Sequence, residues 1–451
     1  MARKPNLILF VTDQQGADMM SCAGNPWLKT PAMDELGRRG IRFEHAYCSN
    51  PVCLPSRVSL FTGRFPSDYG IRSNSLRNCT MSDDAAQESL GAVLAKAGYD
   101  LYYGGKIHLP KAIHPEAMGF NYFTRDEREE LARLSAEIVR RPHSRPYCLV
   151  VSLINPHDIC LMAIRDFPYD KLCQLFVKKL TTEIATLDEA LKLPEGMDED
   201  EFFATCCPPL RENHQPQEDE PEAIRMLLQQ RPFKWAARTR YTEREWRLHR
   251  WAYCRLTERV DREIGIVLDA LDQADDAENT LVMFTSDHGD MDGAHAMEHK
   301  TAFYREAVKV PFIVSGPGIE PGKVDTQHLV SNGLDILPTL ADYAGVAAPA
   351  GLRGRSLRPL LEGSGEVSWR DVVRAESEFG RMVASTRYKY ARYEAGASAE
   401  QLYDMEVDPG ETRNFAHDPE YQSILADMRS AFEREFAGFS LPFDPDQFET
   451  V

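Results

Sequence analysis

The segment 51–63 reads PVCLPSRVSLFTG and places a thiol close to a fixed positive charge. Pro55 suits the first turn of a helix, where a missing N–H leaves no hydrogen bond unmade, and Gly63 can end that helix. Cys53 would then lie at the helix N-terminus, beside free N–H groups that favour an anion. Arg57, about one turn further on, adds a guanidinium group. The spacing indicates an anion site beside a thiol, although a buried free cysteine before an ordinary helix has the same pattern.

Acidic residues follow two distant apolar runs. Asp13 comes just after the strand-like run 7–11, and Asp287 comes just after a second such run, 281–285. A carboxylate at the end of a strand can ligate a hard cation through oxygen. Each residue alone is also typical of a turn, but the two carboxylates could share one metal ion if the two strands are neighbours.

Two further motifs carry basic side chains. Lys106 and His108 stand two positions apart, so in an extended segment their side chains point to the same side. His157 follows another apolar run, 147–153. Taken alone, the pair Lys106 and His108 is also typical of exposed surface residues.

Together these motifs resemble those of the type I sulfatases, a formylglycine-dependent family of the alkaline phosphatase superfamily. Residues 53–57 are similar to the family's Cys-x-Pro-Ser-Arg signature, and 105–109 to its Gly-Lys-x-His-Leu motif. The similarity extends from about residue 5 to about residue 415, and 160–240 is unmatched. It implies that a maturation enzyme oxidises Cys53 to formylglycine (3-oxoalanine), whose hydrate is the nucleophile. The family usually has a small residue where this chain has Leu54.

The resemblance also implies roles for the basic residues. Lys106 and Lys300 would bind the sulfate oxygens, and His108 would hydrogen-bond the second hydroxyl of the nucleophile. His157 would contact the leaving oxygen, and Asn74 would reach the substrate. The implied catalytic residues are Cys53, Arg57, Lys106, His108, His157 and Lys300, and the implied substrate-binding residues are Asn74, Lys106, His157 and Lys300.

A single divalent metal ion is implied as well. Its ligands would be Asp13, Gln14, Asp287, His288 and the group derived from Cys53. Gln14 and His288 replace the residues that are commoner in sulfatases, and they resemble the pairs in phosphonate monoester hydrolases. Calcium is the expected ion, with manganese or magnesium as alternatives.

Three functions follow from these observations. The first is hydrolysis of an alkyl, aryl or carbohydrate sulfate ester. The second is hydrolysis of a phosphonate monoester or phosphodiester with the same machinery, which Gln14 and His288 favour. The third is a catalytically silent protein that binds sulfated glycans, in which Cys53 is never oxidised.

The composition excludes some partners. The chain has 451 residues and a net charge of −18, which makes general binding to nucleic acid or to an anionic membrane unfavourable. No apolar signal region precedes residue 7, so we expect a cytoplasmic protein, or a periplasmic one if a signal peptide was removed. The ten cysteines are scattered and show no zinc-type pairing, which predicts free thiols. The sequence gives no indication of oligomeric state.

The order of elements predicts an α/β fold. Apolar runs at 7–11, 147–153, 281–285 and 310–315 alternate with helical patterns such as 89–97 and 242–271, which predicts a mainly parallel sheet sandwiched by helices. The resemblance implies an alkaline phosphatase-like sheet. The pattern changes near residue 365, where short strands at 381–385 and 388–393 and a helix at 420–436 predict a smaller antiparallel α+β subdomain.

We therefore predict a catalytic domain over 1–364 and a C-terminal subdomain over 365–451. Residues 160–240 interrupt the alternation of strands and helices, which predicts an inserted, lid-like helical or loop region. A solvent-exposed insertion without a functional role would have the same pattern. Trp235, Trp246 and Trp251 could form a sugar platform, but their helical spacing favours a packing face.

Overall fold

The computed structural model describes residues 3–363, 365 and 367–439, and its larger sheet has eight strands. In chain order they are β1 (Asn6–Asp13), β2 (Gly40–Tyr47), β3 (Asp100–Gly105), β4 (Asn121–Thr124), β5 (Tyr147–Pro156), β6 (Thr280–Ser286), β7 (Phe312–Ser315) and β8 (Lys323–Ser331). They lie side by side in the order β4-β3-β5-β1-β6-β7-β2-β8. Only β7 runs antiparallel to its neighbours, so the prediction of a mainly parallel sheet is confirmed.

The helices of the described residues follow, again in chain order. They are α1 (Pro31–Arg39), α2 (Cys53–Thr62), α3 (Leu90–Lys96), α4 (Glu129–Arg140), α5 (Leu161–Asp166), α6 (Lys171–Lys179), α7 (Thr181–Ala190), α8 (Glu199–Thr205), α9 (Glu222–Gln230), α10 (Pro232–Arg240), α11 (Glu243–Asp272), α12 (Arg305–Val308), α13 (Asn332–Tyr343), α14 (Arg358–Leu361) and α15 (Gln422–Glu435). None of the helices in the described ranges has the length and apolar character needed to cross a membrane.

The central strand β1 is covered on both faces. Leu7, Leu9 and Val11 belong to a core with side chains of α2, α3 and α13, whereas Ile8 and Phe10 belong to a core with α1, α4 and α11. Since successive side chains of a strand point to opposite faces, a continuous apolar run marks a strand buried on both sides. The predicted sandwich of helices is therefore confirmed.

Helix α11 begins as its sequence predicts. The Thr242 side chain accepts a hydrogen bond from the Glu245 N–H, and the Glu245 side chain accepts one from the Thr242 N–H. This reciprocal capping box satisfies two N–H groups that the first turn would otherwise leave unpaired. At the other site where a helix boundary was predicted, Gly63 takes a left-handed conformation with φ 66° and ends α2.

A second, four-stranded antiparallel sheet lies near the C-terminus. Its strands are β9 (Val373–Glu376), β10 (Gly380–Ala384), β11 (Tyr388–Tyr393) and β12 (Glu400–Asp404), in the order β12-β11-β10-β9, and α15 packs on it. The predicted antiparallel subdomain is therefore present. The predicted boundary at 364/365 stays a prediction, and residues 364, 366 and 440–451 lie outside the described residues.

The inserted region is helical. Helices α5 to α10 occupy most of 160–240, and no strand lies there among the described residues. Trp246 and Trp251 are buried against other aromatic side chains, so the packing interpretation is confirmed for both. Trp235 is partly exposed.

The described cysteines, which include all ten of the chain, are free thiols.

Candidate active site

The site forms where β1 and β6 end side by side. Their register pairs Thr12 with Ser286, so the next residues, Asp13 and Asp287, leave the sheet at the same edge. Both carboxylates are fully buried. The backbone N–H of Gln14 donates to Asp287 Oδ1 over 3.1 Å, which locks the two strand ends together. The expected meeting of two strand-end acids is thus a consequence of parallel pairing.

Helix α2 brings Cys53 to these carboxylates. Cys53 is the first residue of the helix and is only 2% exposed. Its Sγ donates to Asp13 Oδ1 over 3.7 Å, lies 3.1 Å from His288 Nε2 and accepts from Lys300 Nζ over 3.3 Å. Burial alone raises the pKa of the Cys53 thiol, but the nearby charges of the site lysines and of His288 lower it well below its usual value.

Arg57 ties the helix to both strand ends. Its Nε donates to Asp287 Oδ2 over 2.8 Å, its Nη2 to Asp13 Oδ2 over 3.2 Å, and its Nη1 to Ser152 Oγ over 2.8 Å. The guanidinium is fully buried. It therefore fixes the relative positions of Cys53 and the two carboxylates.

Four side chains form a group that fits a divalent cation. Ligand atoms of Asp13, Cys53, Asp287 and His288 all lie within 4.8 Å of one another, and all four residues are buried. Burial and the Asp13 carboxylate raise the pKa of Asp287 to about 6. A cation among these oxygens would relieve that repulsion, and carboxylate oxygens are suitable ligands for Ca²⁺, Mn²⁺ or Mg²⁺.

Gln14 adds an amide oxygen to the same site. Its backbone has φ 68°, and its Nε2 donates to Asp290 Oδ2 over 2.5 Å. The amide Oε1 accepts hydrogen bonds from Lys300 Nζ and from the thiol of Cys160. Gln14 therefore lies beside the metal-type cluster with its amide orientation set by Asp290, and its role as a metal ligand stays a prediction.

Lys106 and His108 reach one cavity by a different route from the one predicted. Strand β3 ends at Gly105, which has φ +89°, and His108 has φ 43°, so the segment turns instead of extending. Lys106 Nζ nevertheless forms an ion pair with Asp13 Oδ2, and both Lys106 and His108 line the cavity at Cys53. The alternation argument is wrong in its geometry, because it assumed extended backbone.

His157 and Asn74 complete the predicted set. His157 Nε2 lies 4.0 Å from Asp13 Oδ1, and burial, with a contribution from Lys106, lowers its pKa to about 4. Asn74 Oδ1 accepts from the backbone N–H of Leu54 over 3.1 Å, at the first turn of α2. Both residues line the cavity that contains Cys53. All predicted site residues thus converge at one place, while their individual roles stay predictions.

The cavity beside Cys53 has a volume of about 230 Å³. The inserted region supplies much of its wall through Leu161, Ile164, Phe176, Leu180, Arg231 and Lys234. Glu378, which precedes β10, lines it as well. The inserted region therefore faces the reactive side chains, as the lid-like interpretation requires.

Several of these residues escaped the sequence analysis. Ser152 and Asp290, which hold Arg57 and Gln14, lie within or next to motifs that had been recognised, so their strand-end positions were a usable signal. Cys160, Lys234 and Glu378 carried no such signal. Their contribution depends on how distant segments pack together.

Comparisons with known proteins agree with this geometry. The sulfatase family profile matches residues 5–346, and the profile of the N-sulphoglucosamine sulphohydrolase C-terminal region matches 293–437. The Δ4,5-hexuronate-2-O-sulfatase of Bacteroides thetaiotaomicron is 30% identical, over 95% of this chain and 88% of the relative.

Two solved structures are informative. A 2-O GAG sulfatase superposes with a TM-score of 0.80 at 26% identity, covering 100% of this chain and 97% of the other. The phosphonate monoester hydrolase of Agrobacterium radiobacter has a TM-score of 0.71 at 20% identity, with 97% and 96% covered, which shows a shared fold. With the family profile spanning most of the chain, these findings identify the protein as a member of the sulfatase family and a hydrolase of sulfate esters.

Proposed function

We propose that this protein removes sulfate from a carbohydrate, using formylglycine derived from Cys53 and one divalent metal ion, with calcium as the first choice. The observation that carries the proposal is the buried meeting of Cys53 with Asp13, His288 and Lys300. A thiol in ordinary packing has no need of two carboxylates and several cations around it. The third alternative, a silent glycan-binding protein, leaves this arrangement without a purpose.

The chain's own residues have distinct tasks in this proposal. Asp13, Gln14, Asp287 and His288 would hold the cation, which would supply positive charge near the sulfuryl oxygens. Cys53, once converted to formylglycine, would supply the attacking hydroxyl group as its hydrate. Arg57 fixes the carboxylates, since it hydrogen-bonds both. Their burial keeps the geometry rigid before substrate arrives.

The basic side chains bind substrate and move protons. Lys106 and Lys300, which both line the cavity at Cys53, attract the sulfate oxygens. His157 or Lys300 would protonate the leaving oxygen, and His108 would assist release of sulfate from the nucleophile. Burial lowers the pKa of His157 to about 4, so its imidazole is neutral near pH 7 in the free protein.

A saccharide is the proposed substrate class. The relatives named above act on a hexuronate or on GAG, according to their names, and both align over nearly the whole chain. The cavity of about 230 Å³ has room for a monosaccharide unit beside Cys53. Apolar side chains such as Ile164 and Phe176 offer surfaces to a sugar ring.

Phosphonate monoester hydrolysis is the second candidate. Gln14 and His288 favour it, because these residues resemble those of the phosphonate monoester hydrolases at the corresponding positions. It also involves a singly charged reacting group. A sulfate monoester carries one negative charge, whereas a phosphate monoester carries nearly two at neutral pH. Within the described residues, one buried metal-type cluster is found and no second one, so an additional metal to offset the second charge lacks a site.

The test compares kcat/KM for 4-nitrophenyl sulfate, 4-nitrophenyl phosphate and 4-nitrophenyl phenylphosphonate, with metal-loaded enzyme whose aldehyde content has been measured. We expect the sulfate ester to be fastest. A phosphate monoester preferred by about tenfold, or about 1.4 kcal/mol in the transition state, would contradict the proposal. A faster phosphonate ester would establish the second candidate instead.

A further inference from the structure

The cavity that contains Cys53 is also lined by a buried lysine that the proposed chemistry does not use. Lys234 lies in the first turn of α10, lines the cavity and is only 6% exposed. Among the described residues, its ammonium group has neither a hydrogen bond nor an ion pair. Burial, and then the neighbouring charge of Arg231, lowers the pKa of Lys234 to about 7.

The other charged groups that act on Lys234 do not pair with it. Arg231 and Lys300 repel the Lys234 ammonium, whereas Cys160 and Glu378 act in the opposite direction, and none of these groups forms a direct ion pair or hydrogen bond with it among the described residues. A buried ammonium without a counter-ion is unfavourable, because it loses water and gains no partner. An anion in the cavity would supply the missing partner.

Arg238, a cation with a structural role on the same helix, differs from Lys234 in having a partner of opposite charge. Arg238 forms two hydrogen bonds to the Glu220 carboxylate, of 2.9 and 2.8 Å, and both side chains are largely buried. Within the part of the chain that the structure describes, Lys234 has no such partner, and it lines the cavity. The comparison favours a ligand as the partner of Lys234.

We propose that Lys234 binds a second anionic group of the substrate, separate from the sulfate ester that reacts at Cys53. The inference rests on the proposed function and makes it more specific: the substrate is a sulfated sugar that also bears a carboxylate or a further sulfate. A carboxylate and a sulfate both present anionic oxygens, and either group could pair with the Lys234 ammonium on the wall formed by the inserted helices. The reacting sulfate is then held by Lys106 and Lys300, which line the same cavity.

The experiment compares wild type with Lys234→Met, Lys234→Arg and a control, Lys178→Met. Lys178 lies on α6 of the same inserted region and is exposed. The substrates are 4-nitrophenyl sulfate, an O-sulfated neutral hexose, an O-sulfated hexuronic acid and a hexosamine carrying two sulfates. Inhibition of aryl sulfate hydrolysis by unsulfated hexuronic acid and by the matching neutral hexose gives a second readout.

We expect Lys234→Met to lower kcat/KM for one of the doubly anionic sugars at least tenfold more than for the neutral sugar sulfate. Lys234→Arg should recover most of the loss, and Lys178→Met should match wild type. A larger effect on the hexuronic acid identifies a carboxylate, and a larger effect on the disulfated sugar identifies a second sulfate.

The inference would be overturned if Lys234→Met lowered kcat/KM equally for all substrates. It would also be overturned if Lys234→Met lowered kcat/KM for none of them and the charged and neutral sugars inhibited equally. Both results leave the proposed function intact if wild type hydrolyses the aryl sulfate. If the aldehyde-bearing wild type hydrolyses no sulfate ester, the proposed function itself fails. In that case, discrimination between the two inhibitors, measured as direct binding, still decides whether Lys234 recognises an anion.

Discussion

Arg57 donates a hydrogen bond from Nε to Asp287 Oδ2 over 2.8 Å, and neither side chain has any exposed surface. This contact joins the helix that carries Cys53 to the end of strand β6. A buried ion pair offers little net stability compared with apolar packing, but breaking it leaves an unpaired charge. The contact therefore serves to fix geometry, and its loss has a high cost.

Arg57→Lys is expected to reduce both activity and stability. Lysine keeps the charge but loses the planar fork that contacts Asp287, Asp13 and Ser152 together. We expect kcat/KM to fall by about 100-fold or more and the free energy of unfolding to fall by about 3 kcal/mol. Kinetics and thermal unfolding measure the two effects. Arg64→Lys is the control, since Arg64 pairs with Glu88 at the surface; equal effects of both changes would refute the proposed role.

Asp13→Asn is expected to remove the metal ion and the activity together. The substitution keeps the side-chain size but removes one of the two carboxylates that a divalent cation prefers. The metal content after desalting, measured by elemental analysis, should fall from about one ion per chain to a small fraction. The kcat/KM should fall about 100-fold or more. Asp188→Asn, at an exposed position, should change neither quantity. Full activity in wild type after exhaustive chelation, with no metal detected, would contradict the metal site.

Cys53 is expected to carry an aldehyde when the protein is produced in a host with the maturation machinery. Peptide mass mapping should show a mass about 18 Da below that of cysteine, or the mass of the hydrate, and the aldehyde fraction should correlate with activity. Cys53→Ala should abolish turnover and leave folding nearly unchanged. Fully active enzyme that contains only the thiol would disprove the modification.

Glu263→Gln is expected to stabilise the protein at pH 8 and to have little effect at pH 5. Burial raises the pKa of Glu263 from its usual 4.5 to about 8, with Arg259 only partly opposing the shift, and neither carboxyl oxygen has a hydrogen-bond partner among the described residues. The folded state keeps this proton while the unfolded state releases it, so stability falls as pH rises from about 4.5 to about 8.

Glutamine removes that pH dependence because it carries no titratable proton. The gain at pH 8 should reach a few kcal/mol, about 1.4 kcal/mol for each unit of pKa shift. Thermal unfolding at both pH values measures it, with Asp269→Asn on the exposed face of α11 as the control. A gain of equal size at pH 5 would show that the effect is not due to titration.

The sequence was sufficient to predict the elements that carry the reactive residues. Strands β1, β5 and β6 are buried on both faces, so each reads as a continuous apolar run and was located to within a few residues. The strands at one edge of the larger sheet were harder to predict. Strands β2 and β8 were not predicted, since their sequences mix polar and apolar residues and their pairing depends on partners far along the chain.

The residues of the candidate site also fall into those that a local sequence pattern predicts and those that it does not. Asp13, Cys53 and Asp287 lie at element ends, where local patterns are strong and parallel pairing fixes the outcome. Lys234 and Glu378 reach the cavity through the packing of α10 and of the small sheet, for which no local pattern exists. The turn at His108 could not be predicted, because positive φ values at non-glycine residues have a weak sequence signal.

The cavity wall formed by α5, α6 and the start of α10 comes from one continuous stretch of chain between β5 and α11. A continuous stretch can be exchanged in evolution by one recombination event, without any change at the strand ends that surround Cys53. Descendants of one ancestor can therefore acquire new substrates while their hydrolytic chemistry is inherited intact. Two proteins with identical residues around this cysteine need not share a natural substrate.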